Sequence, residues 1–309
     1  MRFDTEITLI GPWRAPAQML ADQEYDGHAS VHDDATAGSL GLAGAPIEGP
    51  THFSQVDPLA VALWGDAWFE RGCLSAHFRT MVVQGEEVQA SLLVPDASGS
   101  VVARAHKRDG AQVFAGTASV GPDYGTTELE RRLATFGHPG ELHVLDRLEV
   151  GATSTDPGVV RITRSERNGS GYPFSLDEKL ARITEPHPWY TDAPARTSPW
   201  GRAVVPIEMI SVLAHKSGPS WPVRTPSLGL FLDLEIRLVD GPVFVDHDYS
   251  LERELVALGQ SRRTESYWTR TTVVDADSHR TTAVVLLHSG VFKDSYPGYP
   301  GAQPPRTSS

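Results

Sequence analysis

Cysteine is almost absent: Cys73 stands alone among 309 residues, so no disulfide can form within the chain and no cysteine-based zinc cluster can be assembled. Stability has to come from packing. Basic residues are outnumbered, with 27 Lys and Arg against 39 Asp and Glu for a formal charge of -12, and a chain without a basic face is a poor partner for a nucleic-acid backbone. A small-molecule ligand is expected instead, since a local basic pocket can override net charge. There is no run of about 18 apolar residues and no basic-then-apolar N-terminus, so neither a membrane span nor a secretory leader is expected, and the location implied is cytoplasmic. Also missing are a phosphate-cradling glycine loop, a nucleotide fingerprint and histidines at metal-ligand spacing; chemistry with no metal and no cofactor is expected. Ser211 and Cys73 have no nucleophile motif around them, which argues against covalent catalysis.

What is present is a helix followed by a meander, twice. With 40% hydrophobic residues the chain can fill one large domain or two of about 150 residues. After Gly49-Pro50, the residues Phe53, Val56, Leu59, Ala60, Leu63 and Trp64 fall at helical spacing and end at Gly65. Asp57-Pro58 lies inside that stretch, so the helix either kinks there or begins at Asp57. Four alternating runs follow, around Leu74–Phe78, Val88–Leu92, Val101–Ala105 and Val113–Thr117. They are separated by turn residues such as Gly85 and Asp109-Gly110, and read as half-buried antiparallel strands.

The order recurs after a proline-rich stretch that includes Pro186, Pro188 and Pro199. Val205, Met209, Val212 and Leu213 mark a second helix with Pro206 at its first turn, and Leu228 to Leu238 alternate cleanly into Asp240-Gly241, Val243 and Val245. Strands over Tyr267–Val274 and Thr281–His288 complete the second set. Between the halves, Leu129–Phe136 reads as a short helix, Leu142–Val150 and Val159–Arg164 as strands, and Ser175-Leu176-Asp177-Glu178 as a capping box opening a helix to Ile183. The fold class expected is α+β: two modules, each a long central helix wrapped by an antiparallel sheet, over 1–150 and 151–295, with 296–309 a flexible tail.

Phe78-Arg79, Gly85-Glu86, Arg108-Asp109-Gly110 and Gly116-Thr117-Ala118 together resemble the meander of the MaoC-like double-hotdog hydratases and dehydratases, enzymes of acyl thioesters. Upstream, Asp26-Gly27-His28-Ala29-Ser30-Val31-His32 and then Ala45-Pro46-Ile47-Glu48-Gly49 are similar to that family's hydratase segment, an Asp-x-Asn-Pro-x-His run followed by a Pro-Ile-x-His-Gly lead-in to the central helix. The departures are specific. His28-Ala29 replaces Asn-Pro, one extra residue separates Asp26 from His32, and Glu48 takes the place of the histidine before the helix glycine. The resemblance covers residues 20–120 by motif and 200–290 by architecture alone. It implies a hotdog fold and an acyl-thioester substrate; a homodimer is possible, and the charge balance and the lack of long apolar runs leave no nucleic-acid or membrane partner expected.

Hydration of an enoyl thioester needs a base for water, an acid for the α carbon and a donor that polarises the carbonyl. Asp26, His32 and His28 are the candidates for the first two roles, and backbone N–H groups at Gly49 and the turn through Pro50 for the third. Glu48 and His52, four residues apart at the helix start, form a second acid–base pair; the plainer alternative is a dipole-complementing Glu48 and a satisfied core His52. Trp64, Trp189, Tyr190, Trp200 and Glu208 are candidates for lining the substrate site, aromatic residues that a core would equally use. Thioester hydrolysis on the same fold would draw its base from Glu48 or Asp57, and a protein that only binds a ligand is the third reading. Arg262, Arg263 and Glu265 read as paired surface charges.

Overall fold

The structure, a computed structural model, describes residues 7–25, 28–94, 100–155, 158–216 and 221–300. The strands are β1 (Ile7–Ile10), β2 (Glu24–Tyr25), β3 (His28–Ala29), β4 (Gly72–Phe78), β5 (Val88–Val94), β6 (Ser100–Lys107), β7 (Gln112–Val120), β8 (Thr153–Thr155), β9 (Gly229–Leu238), β10 (Tyr249–Gln260), β11 (Thr264–Asp275) and β12 (Thr281–Phe292). The helices are α1 (Asp34–Ser39), α2 (Asp57–Trp64), α3 (Ala67–Arg71), α4 (Glu128–Ala134), α5 (Leu176–Leu180), α6 (Asp192–Ala195) and α7 (Ile207–His215), with a 3-10 turn over Gly49–His52. Ten strands form one antiparallel sheet in the order β1-β5-β6-β7-β4-β9-β12-β11-β10-β8.

The two meanders are therefore halves of a single sheet, joined where β4 pairs with β9, from Cys73 opposite Arg237 to His77 opposite Asp233. Alternation across this seam fixes both faces. Leu74, Ala76, Leu234 and Ile236 point to one side, where they join α2 and α7 residues such as Leu59, Ala60, Met209 and Leu213 in one continuous core. Each such leucine, fully buried, stabilises the fold by about 1.5–3 kcal/mol. The other face carries Ser75, His77, Asp233 and Glu235, covered by α4, whose Leu129 N–H donates to Ser75 Oγ at 2.9 Å.

Three expectations need correction. Neither central helix is long: Asp57-Pro58 marks a start, so the first is a 3-10 turn and then the eight residues of α2, and α7 has nine. Proline has no N–H to give, so position one or two of a helix is where it fits best. Leu142–Val150 contains no strand, and 159–164 contributes only an isolated bridge between Val160 and Tyr249. Glu265 is no surface charge. It is fully buried and accepts the N–H groups of His143, Val144 and Leu145 at 2.8, 2.9 and 2.9 Å, satisfying the backbone of the loop that was expected to be a strand. At the end of the chain, Tyr296 and Tyr299 pack against the cluster formed by Leu145, Leu148 and Leu255, while 301–309 lie outside the described residues.

Candidate active site

The starts of the two central helices meet in the interior. Glu48 caps the 3-10 turn of the first half, and Glu208 is the second residue of α7 in the other. Between them stands Lys179 of α5, 2% exposed. Its Nζ donates to Glu48 Oε1 at 2.9 Å and Thr51 Oγ1 at 2.9 Å and lies 2.8 Å from Glu208 Oε2. Of the three protons an ammonium can donate, two are hydrogen-bonded, and Glu208 completes the surroundings as an ion pair. Burial works against the charged lysine, yet the two carboxylates outweigh it and hold its pKa above the usual value. Burial raises Glu208 above the ordinary carboxylate range, with Lys179 opposing. The capping box of Ser175 and Glu178 orients α5 so that Leu176 and Lys179, three residues apart, share its buried face.

His32 is the second element of the site. Its Nδ1 lies 2.6 Å from the Pro46 carbonyl oxygen, which ties the segment from His28 to His32 to the Pro46-Ile47-Glu48-Gly49 lead-in. A carbonyl can only accept, so Nδ1 carries the proton and Nε2 keeps its lone pair. Burial lowers the His32 pKa; the Pro46 hydrogen bond and the charge of Glu48 act in the opposite sense. At Gly49 an added Cβ would come within 2.6 Å of the Phe78 ring, so glycine is needed for this close packing. Pro50 has no N–H, and the Thr51 N–H is used by the Glu48 carbonyl at 3.2 Å, which leaves Gly49 N–H as the backbone donor of this turn. His28 sits on β3, its Nδ1 3.0 Å from the Ala29 oxygen, and Asp26 lies outside the described residues. His52 is buried and held neutral, its pKa lowered to about 4 by desolvation, with Nδ1 lacking a hydrogen-bond partner among the described residues.

The aromatic candidates gather elsewhere. Trp64 stacks on Trp68 with centroids 5.7 Å apart, and Trp189 and Trp200 pack on Phe69 at 5.0 and 6.1 Å. Tyr190 is the link between this cluster and the helix: its hydroxyl donates to Asp57 Oδ2 at 2.8 Å, while Trp68 Nε1 donates to Oδ1 at 2.9 Å. Desolvation pushes Asp57 up to about 7, against those two hydrogen bonds. Beside it lies a cavity of about 10 Å³ lined by Trp68, Phe69, Ile207, Leu238 and Val243 among others. That is room for about one water, too little for an acyl chain. With both oxygens occupied and its proton retained toward neutrality, Asp57 is poorly suited to activate water.

Two features escaped the sequence. Lys179 was legible only as a lysine at i+3 from Leu176 on a capped helix, where Lys ordinarily faces water. The other is a charge row on the opposite sheet face: fully buried Asp233 is 2.7 Å from His77 Nδ1, 2.5 Å from His288 Nδ1 and 2.9 Å from Arg132 Nε. Burial opposes its charge, but these partners bring its carboxyl down to about 2. His288 in turn stacks on Trp268, centroids 4.3 Å apart. His77, Asp233 and His288 come from β4, β9 and β12 and are brought together by strand register, while Arg132 reaches them from α4.

No protein-family model matches the sequence, and no curated protein matches it. Solved structures do. One is a protein of Chloroflexus aurantiacus J-10-fl named as a MaoC domain protein dehydratase, with 15% identity and a TM-score of 0.57, 94% of this chain covering 95% of that one. Another is a Mycobacterium tuberculosis protein described as having a double hotdog fold, with 12% identity, a TM-score of 0.55, and 94% and 97% of the two chains covered. No described helix is long and apolar enough to cross a membrane. A shared sheet, two helix starts meeting at its centre and this likeness over nearly the whole length agree: the chain has the double-hotdog fold of the MaoC-like proteins.

Proposed function

We propose that the protein is a carbon–oxygen lyase that hydrates or dehydrates an acyl thioester, of the enoyl and 3-hydroxyacyl kind, with His32 as its base. The observation that carries this reading is the hydrogen bond of His32 Nδ1 to the Pro46 carbonyl at 2.6 Å. It fixes the tautomer, and with burial keeping the ring neutral, Nε2 is a base ready at neutral pH. In the hydration direction Nε2 takes a proton from water as the water oxygen bonds to the β carbon. The electron pair of the double bond moves toward the thioester carbonyl, where the Gly49 N–H stabilises the oxyanion. Asp26, as the carboxylic acid, delivers a proton to the α carbon and is reloaded from the His32 imidazolium. Glu48 stabilises that imidazolium by its charge, the sense in which it already acts on His32.

The test offers the purified protein enoyl, 3-hydroxyacyl and saturated acyl thioesters, following the enoyl absorbance and free thiol separately. The expected outcome is a change in the enoyl band without thiol release, with His32→Ala lowering kcat by about 10²–10⁴. Thiol release with an unchanged enoyl band would assign thioester hydrolysis instead. Saturable binding with no turnover would assign a binding protein.

A further inference from the structure

The buried lysine has no counterpart in the proposed chemistry, and its placement gives it one. We propose that Lys179 is a positioning residue that holds the Glu48 carboxylate ionised and fixed within electrostatic reach of His32, with Glu208 of the second half closing the ion cluster. The inference rests on the lyase reading for its kinetic consequence but not for its geometry. Lys179 and Thr51 both bind the same oxygen of Glu48, Oε1, and among the described residues Oε2 has no hydrogen bond. The carboxylate is thus gripped by one edge and free at the other.

Charge counting favours a neutral Glu208. Two carboxylates share one ammonium, so the trio carries a surplus negative charge that a closed interior resists. The Glu208 side chain is the more deeply buried, 1% exposed against 7% for Glu48, and is the one whose proton is held more tightly than usual. Protonating Glu208 relieves the surplus and leaves Lys179 to Glu48. The groups that face this pair from the surrounding elements are Thr51 and His52 of the 3-10 turn, Ser54, Asp57 of α2 and Tyr190. Of these, His52 is held neutral by burial, and burial favours the neutral form of Asp57 and Tyr190 too. A lysine placed only to fill space would not need three polar partners drawn from both helix starts. A methionine of similar length would fill the same space without the cost of burying a charge, which is several kcal/mol per ion.

The decisive measurement uses protein labelled with ¹³C at the glutamate carboxyl carbons, with Glu48→Gln assigning the Glu48 signal. In the native protein that signal is expected as a carboxylate at pH 7. In Lys179→Met it is expected as the protonated acid, with kcat at least tenfold lower and KM within threefold, because Lys179 does not touch substrate; Lys179→Arg is expected to restore the carboxylate. A folded Lys179→Met protein whose Glu48 stays ionised, or whose kcat is native, overturns the proposal. If Lys179→Met fails to fold, Lys179→Gln decides: glutamine keeps polar atoms for the neighbouring groups but carries no charge, so the Glu48 signal is expected as the protonated acid, and a Glu48 that stays ionised overturns the proposal. If the native protein turns over no thioester, the lyase reading fails while the carboxyl signal still decides the role of Lys179.

Discussion

Asp57→Asn should change the pH dependence of stability more than stability itself. The carboxyl is raised to about 7 in the folded protein from an ordinary value of 3.8, so between these two pH values the folded state binds a proton that the unfolded state has lost. Stability from this group is therefore fully present below pH 3.8 and disappears as pH rises through 7. With each pKa unit equal to about 1.36 kcal/mol, the native protein loses about 2–3 kcal/mol from Asp57 between about pH 5 and about pH 8.5. Asparagine keeps an oxygen to accept from Trp68 and an amide to donate to the Tyr190 oxygen, but it has no proton to release. Guanidinium unfolding at the two pH values gives the comparison, variant minus native. That difference should favour the asparagine variant by about 2–3 kcal/mol more at about pH 8.5 than at about pH 5. A pH-independent difference would refute the argument, because it would mean that Asp57 titrates alike in the folded and unfolded chain.

His52 should produce the opposite slope. Its pKa falls to about 4 in the folded state from 6.5, so its stability is fully present above pH 6.5 and is lost as pH drops toward 4, about 2 kcal/mol of it between about pH 7.5 and about pH 5. His52→Gln should flatten that part of the curve, and an unchanged acid limb in denaturant titrations would show that the ring is not held neutral. Two glycines should differ in cost although both are tightly packed. At Gly116 an added Cβ meets the Ser75 carbonyl oxygen at 2.0 Å and the Ala76 Cα at 3.0 Å, all backbone, whereas at Gly49 it meets the movable Phe78 ring. Gly116→Ala should cost more than about 3 kcal/mol and Gly49→Ala about 1–3 kcal/mol; equal midpoints in urea unfolding would contradict that ranking.

The first meander was readable because each strand alternates and each turn carries its own chemistry: Gly85 and Gly110 take φ of 91° and 87°, which disfavours other residues there. β10 was not readable. Its run Leu251-Glu252-Arg253-Glu254-Leu255-Val256-Ala257 consists mostly of residues that favour helices, and it becomes a strand because β8 and β11 pair with it on both sides. β1, Ile-Thr-Leu-Ile, is too short to show alternation, and among the described residues its neighbour in the sheet is β5. In the candidate site, His32, Glu48 and His52 were named from local order, because the lead-in lies close to them in sequence. Lys179 is 131 residues from Glu48, and no local pattern records a partner at that distance. The aromatic residues were identifiable as a group, but whether they line a ligand or one another depends on side-chain direction, and here Phe69 is the common neighbour of Trp189, Tyr190 and Trp200 while Trp64 stacks on Trp68.

The seam between β4 and β9 has one further consequence. Two identical subunits joined along such a seam would carry every residue twice, once on each side of the axis. A lysine close to that axis would then face its own copy, two like charges in one dry interior. A single chain carrying both halves has no such obligation: Glu48 and Glu208 can differ in exposure, and one lysine can serve both. Tethering the halves permits an asymmetric centre, so that one helix start can be adapted to holding charge while the other is adapted to balancing it.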